Sequence, residues 1–154
     1  MKFYQVIATG FGVGYFPFLP GTAGSLLGLF LFLPLRSLSP FFFGLFFVFL
    51  FGLGTYAAGA CERSLQKKDA GEIVIDEIAA MMIVLFLLPA SLGWWIAGFI
   101  TFRIFDIAKP PPIPLFEKLP GGWGIMADDV AAAGYAVLSL RLIEMILKSL
   151  GVGG

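Results

Sequence analysis

No histidine occurs anywhere in the 154 residues. That excludes histidine-based phosphotransfer, the commonest zinc ligand and the commonest general base. Cysteine occurs once, at Cys61, so no intrachain disulfide can form. A cysteine-phosphatase loop is absent too, because Lys67 stands where that loop needs arginine, six residues after the cysteine. Cys61 follows an apolar run and reads as a small buried hydrophobe. Charge is also scarce, at 13% Asp, Glu, Lys and Arg. A soluble domain carries about 25%. Ten basic and ten acidic residues cancel, so no basic field points to nucleic acid.

What remains is apolar. Hydrophobic residues make up 59% of the chain, and the mean hydropathy is +0.95. The reading is an all-α integral membrane bundle of about four to five membrane-associated helices, forming one domain over residues 1–154. The N-terminus has one Lys, a short apolar stretch broken by Gly10, Gly12 and Gly14, and no cleavage-site pattern, so it is expected to be retained.

Five apolar segments can be drawn: Thr22 to Leu35, Pro40 to Ala60, Ile73 to Leu88, Ser91 to Ala108, and Met126 to Leu147. The first is short against the roughly 20 residues a span needs, so it either crosses or re-enters. Small residues at Gly24 and Gly28, and at Gly54, Ala58 and Gly59, suit close helix contacts. Lys2, Arg63, Lys67, Lys68, Lys109 and Lys118 fall on one side of these segments, and Arg36 lies between the first two. The positive-inside rule then places the N-terminus and the 61–72 and 109–125 loops in the cytoplasm. Four polar stretches would gather at that face: Gly21–Ser25, Asp69–Glu77, Arg103–Lys109 and Gly121–Asp129.

Acids dominate the gathering. Asp76 and Glu77 lie a few residues into an apolar run, where two carboxylates need a partner or a metal. Asp128 and Asp129 suit either a metal or the N-terminus of a helix. Asp106 suits either a metal or an ion pair with Arg103, three residues before it on the same helix face. Asp69 and Glu72 read as a solvated loop. Oxygen ligands without His or Cys favour a hard cation, with Mg²⁺ the default. The metal candidates are Asp76, Glu77, Asp106, Asp128 and Asp129, and the catalytic candidates are Asp76, Glu77, Asp106 and Asp129. Phosphate would be bound by Arg103, by Lys109 and by the hydroxyls of Thr22 and Ser25 beside free backbone N–H groups. Lys109 alternatively snorkels from a helix end. Gly121-Gly122-Trp123-Gly124 reads as a second glycine-rich turn before a helix, and Trp94 and Trp95 as interfacial anchors on the far side.

Four blocks together resemble the phosphatidylglycerophosphatase A family of bacterial membrane phospholipid enzymes. They are Gly10-Phe11-Gly12-Val13-Gly14 through Pro20-Gly21-Thr22-Ala23-Gly24-Ser25, then Ile73-Val74-Ile75-Asp76-Glu77, then Arg103-Ile104-Phe105-Asp106 with Lys109-Pro110 and Pro112-Ile113, and lastly Gly121-Gly122-Trp123-Gly124-Ile125-Met126 with Asp128-Asp129. Pro111, Ala80 and Ala133 depart from its usual pattern. The resemblance implies an all-helical fold and Mg²⁺-dependent hydrolysis of the terminal phosphate of phosphatidylglycerophosphate. It also implies a multi-pass protein of the bacterial cytoplasmic (inner) membrane, with membrane lipid around it and the site facing the cytoplasm. Two other readings compete on the residues alone: a phospholipid phosphotransferase and a small ion-coupled carrier. A structural subunit without chemistry would leave the polar clusters unexplained.

Overall fold

A computed structural model describes residues 1–68 and 70–151; Asp69 lies outside the described residues. The described residues contain helices and no strand. Seven α-helices follow in order: α1 (Phe3–Ala8), α2 (Pro20–Phe32), α3 (Pro40–Leu65), α4 (Ile75–Leu87), α5 (Leu92–Ala108), α6 (Ile113–Phe116) and α7 (Gly122–Ser149). A 3-10 turn over Val13–Tyr15 precedes α2, and another over Leu33–Leu35 extends it.

Helices α3 and α7 have 26 and 28 residues and are long and apolar enough to cross a membrane. At 1.5 Å per residue they measure about 39 and 42 Å. Only 22% of each helix's apolar window is buried. Their outer faces present Phe41, Phe42, Leu45, Val48 and Phe49 on α3, and Leu138, Leu142, Met145 and Ile146 on α7. Apolar exposure on this scale marks a surface suited to lipid or to a protein partner.

Helix α4 is the opposite case. It runs 13 residues and buries nine of them. It packs against α2, α3, α5 and α7, so its all-round hydrophobicity reflects burial in protein. The third apolar segment is therefore the core helix of the bundle and only about 20 Å long.

Helix α2 meets α4 through glycines. A Cβ on Gly24 would press on Val74, and one on Gly28 would press on the Ile78 backbone. This small-residue stripe lets two backbones approach closely. Helix α3 meets α7 by the same device, with Gly59 beside Gly122 and Gly54 beside Met126. Cys61 is buried in the last turns of α3, with the other alanines and isoleucines of a second apolar cluster. Ala80 and Ala133 are both fully buried between helices, consistent with packing positions. Trp95 is half-buried and packs edge-on against Phe32 at 5.9 Å, so its ring joins the core margin as well as the helix end.

One boundary near the acidic pair differs from the sequence expectation. Helix α7 begins at Gly122, so Asp128 and Asp129 lie two turns inside it and do not cap it. The glycines at 122 and 124 serve packing: a Cβ on Gly122 would strike the Thr55 carbonyl oxygen, and one on Gly124 would press on the Leu119 carbonyl oxygen. Close approach to the α3 backbone explains Gly122, and close approach to the Leu119 and Glu117 carbonyls explains Gly124, without an anion.

Candidate active site

Four helices converge at one end of the bundle. The first turn of α4 carries Asp76 and Glu77. The last turns of α5 carry Arg103 and Asp106, and Lys109 caps that helix. Two turns into α7 stand Asp128 and Asp129. The first turn of α2 supplies Gly21. The contact of α5 with α7 brings Asp106 to the aspartate pair.

Asp76, Glu77 and Asp129 each offer one carboxylate oxygen, and these three atoms lie within 4.8 Å of one another. Asp76 and Asp129 are buried, and Glu77 is nearly so. Oδ1 of Asp76, Oε2 of Glu77 and Oδ2 of Asp129 are buried without a hydrogen-bond partner. Like charges this close repel, and buried acceptors without donors are costly. Shared protons or a bound cation would relieve both problems. The donors are all carboxylate oxygens, which suits a hard divalent ion of the Mg²⁺ type. Asp106 lies within hydrogen-bonding reach of Asp129 and borders the group.

Arg103 provides the facing positive charge. Its Nη1 is 2.7 Å from Oδ2 of Asp106 and 3.8 Å from Oε1 of Glu77. Its Nε has no hydrogen-bond partner. The expected Arg103–Asp106 ion pair is thus formed, and Asp106 still touches the acidic group. Gly21 makes room for this arrangement: a Cβ there would collide with Oε1 of Glu77 and stand 3.0 Å from both terminal nitrogens of Arg103.

Lys109 is held from behind. Its ammonium donates to Oδ2 of Asp128 at 2.7 Å and to Oε1 of Glu117. Burial alone would lower the lysine pKa, but its hydrogen bonds to the Asp128 and Glu117 carboxylates outweigh it and hold the group above its ordinary value. Its backbone is left-handed, at φ 43°. Beside it the Tyr135 hydroxyl donates to the Pro111 carbonyl at 2.7 Å and ties α7 to the 109–112 turn.

An open cleft of about 360 Å³ joins these groups. Asp76, Glu77, Arg103, Asp106, Lys109 and Gly21 line it, with Phe18, Leu19 and Ile107 at its edges. Asp128 instead lines a neighbouring pocket with Glu62, Lys68 and Glu117. Ser25 is buried, and its hydroxyl donates to the Gly21 carbonyl one turn back. Thr22 is half-buried in the next position of α2 and is not among the cleft-lining residues. The contribution of α2 to the cleft is the space at Gly21 more than a hydroxyl pair. Glu117 is the residue the sequence did not single out. Its signal would have been Lys109, eight residues earlier across the proline turn.

The family model described as Phosphatidylglycerophosphatase A matches residues 6–144 of the chain. A Phosphatidylglycerophosphatase A of Haemophilus influenzae is 44% identical over 143 residues, covering 91% of this chain and 88% of that protein. One from Escherichia coli is 37% identical, covering 93% of this chain and 83% of its own length. A Putative phosphatidylinositol-3-phosphatase of Bacteroides thetaiotaomicron is also 37% identical, over 92% of this chain and 94% of that protein. No solved structure matches the chain.

Proposed function

This chain belongs to the phosphatidylglycerophosphatase A family, and from that premise we propose that it removes the terminal phosphate of phosphatidylglycerophosphate at a membrane surface. The products are phosphatidylglycerol and inorganic phosphate. The enzyme is a phosphoric monoester hydrolase. The observation that carries the reading is the trio of carboxylate oxygens of Asp76, Glu77 and Asp129 within 4.8 Å of one another, two of whose residues, Asp76 and Glu77, line an open cleft with Arg103. That combination suits a divalent cation together with a phosphate monoester.

Asp76, Glu77 and Asp129, with Asp106 beside them, would hold Mg²⁺. Bound there, the cation would polarise the phosphorus–oxygen bonds and offset charge developing on the phosphoryl group. The chain's own residues do the rest. Arg103, in the cleft wall, directs its guanidinium toward nonbridging oxygens. An ammonium has three donors, so Lys109 keeps one after its bonds to Asp128 and Glu117 and directs it at the cleft. One of Asp76 and Glu77 orients the attacking water and accepts its proton. The fixed charges need no rearrangement as the phosphorus–oxygen bond breaks.

The cleft end of the bundle carries Lys2, Arg63, Lys67, Lys68, Lys109 and Lys118, and the other end Arg36, Arg141 and Lys148. This asymmetry supports a multi-pass protein of the bacterial cytoplasmic membrane with the site facing inward. Family membership favours hydrolysis over the transferase and carrier readings. A second substrate deserves a direct comparison because one relative is named for phosphatidylinositol 3-phosphate. It too is a phosphomonoester on a lipid headgroup.

The deciding experiment measures phosphate release by purified protein in mixed micelles, with Mg²⁺ or with chelator, on both lipids. Mg²⁺-dependent release from phosphatidylglycerophosphate, lost in Asp129→Asn, supports the reading. No release from a folded wild type sinks it. Faster release from the inositol lipid would reassign the substrate and keep the chemistry.

A further inference from the structure

Phe18 is out of place by every local criterion. It is 97% exposed, and its backbone is left-handed at φ 76°. A bulky side chain is strained there, and glycine would not be. The ring repays that strain with no contact inside the fold. It sits on the segment between the Val13–Tyr15 turn and α2, where Tyr15, Phe16 and Leu19 are exposed as well. Ile107, on the last turn of α5, is 74% exposed.

Phe18, Leu19 and Ile107 border the same cleft whose wall carries Asp76, Glu77 and Arg103. The site therefore has a charged floor and a greasy lip. A water-soluble phosphate ester would meet a polar rim more readily. A phospholipid needs the two chemistries in this order, with phosphate inward and glycerol esters and acyl chains outward.

We propose that Phe18, Leu19 and Ile107 form a lateral doorway through which a phospholipid slides from the leaflet into the cleft, with the Phe18 ring seated among the lipid's glycerol esters and first methylenes. This rests on the phosphatase reading for the identity of the headgroup but not for the placement of the ring. The ring remains in the leaflet and guides the substrate's diacylglycerol part, while Arg103 receives the phosphate.

Two measurements test it. The first needs no turnover. A fluorophore on Phe18→Cys, in a Cys61→Ala background, is placed in phosphatidylethanolamine–phosphatidylglycerol vesicles. Quenching by lipids brominated high on the acyl chain is expected. Quenching by aqueous iodide alone overturns the doorway. The second compares long-chain phosphatidylglycerophosphate in vesicles with its deacylated headgroup in solution. Phe18→Gly relaxes the backbone and removes the ring, so the fold is not at risk. KM for the vesicle lipid should rise about tenfold with kcat held, the signature of lost uniform binding. The soluble headgroup should be turned over as before, and Phe18→Trp should restore the lipid KM. Equal losses on both substrates, or no change on either, overturn the doorway. Wild type inactive on both would instead refute the phosphatase reading, with lipid quenching still deciding where the ring lies.

Discussion

Lys109 and Asp128 meet at 2.7 Å, joining the end of α5 to the second turn of α7. The two partners of this lysine are unequal. The Asp128 side chain is 7% exposed and that of Glu117 is 39% exposed. Breaking a buried pair by removing one member costs about 3–5 kcal/mol, and an exposed pair contributes about 0–1 kcal/mol. Asp128→Asn should therefore lower both thermal stability and kcat/KM, the latter by about tenfold or more. Glu117→Gln should stay within about threefold of wild type. Thermal melts and phosphate-release kinetics on the two variants check the ranking, and equal effects would contradict it.

Lysine charge should not limit activity in alkali. The folded pKa of Lys109 is raised, so its bonds contribute stability that is fully present below the unfolded value of about 10.4. That contribution is lost only as pH rises through the higher folded value. Between pH 7 and 10 the rate profile of Lys109→Arg should have the same shape as wild type, whatever its height. An alkaline limb that disappears in Lys109→Arg would assign that limb to the lysine.

Gly21→Ala should separate stability from function. Alanine gains about 1 kcal/mol over glycine in a helix. Its methyl group would collide with Glu77 and crowd Arg103. The variant should melt no lower than about a degree or two below wild type while losing about tenfold or more in kcat/KM. Gly44→Ala, where a Cβ meets nothing within 4 Å, is the matched control and should leave activity unchanged. Equal activity in both variants would remove Gly21 from the site.

The acidic trio predicts opposite signs in two assays. Wild type should gain thermal stability with Mg²⁺, about 2.7 kcal/mol at a hundred times Kd. Asp129→Asn removes one of three crowded carboxylates, so in chelator it should melt at or above wild type. It should show little Mg²⁺ shift and lose about 10²–10⁴ in rate. A variant that still responds fully to Mg²⁺ would place the cation elsewhere.

Much of this was legible from residue order. Arg103, Asp106 and Lys109 are three apart at the end of an apolar segment, so a helix delivers them together. Asp76 and Glu77 stand out because the residues around them are apolar. The glycine stripe of α2 also reads directly as a close helix contact. What escaped has physical causes. Hydrophobicity does not distinguish burial in lipid from burial in protein, so the central place of α4, enclosed by α2, α3, α5 and α7, could not be read from its apolar run. Gly122 and Gly124 looked like a turn because glycine is favoured both in turns and in tight packing, and only the Thr55 carbonyl beside Gly122 tells which applies. Glu117 lay in an aperiodic stretch, and its partnership with Lys109 exists only once the proline turn and α6 fold the chain back.

The unequal helices have a consequence for the surrounding bilayer. Helices α3 and α7 exceed a hydrocarbon thickness of about 30 Å, while α2 and α4 reach about 20 Å. A membrane matched to the long pair would drown the polar ends of the short pair. In the membrane placement proposed above, the lipid would dip where α2 and α4 begin, or water would follow the cleft downward. Either way a substrate headgroup would descend less far into oil than the length of the long helices suggests. In that placement the protein would thin the bilayer locally, and thicker, stiffer bilayers should slow it by resisting the dimple through which its substrate arrives.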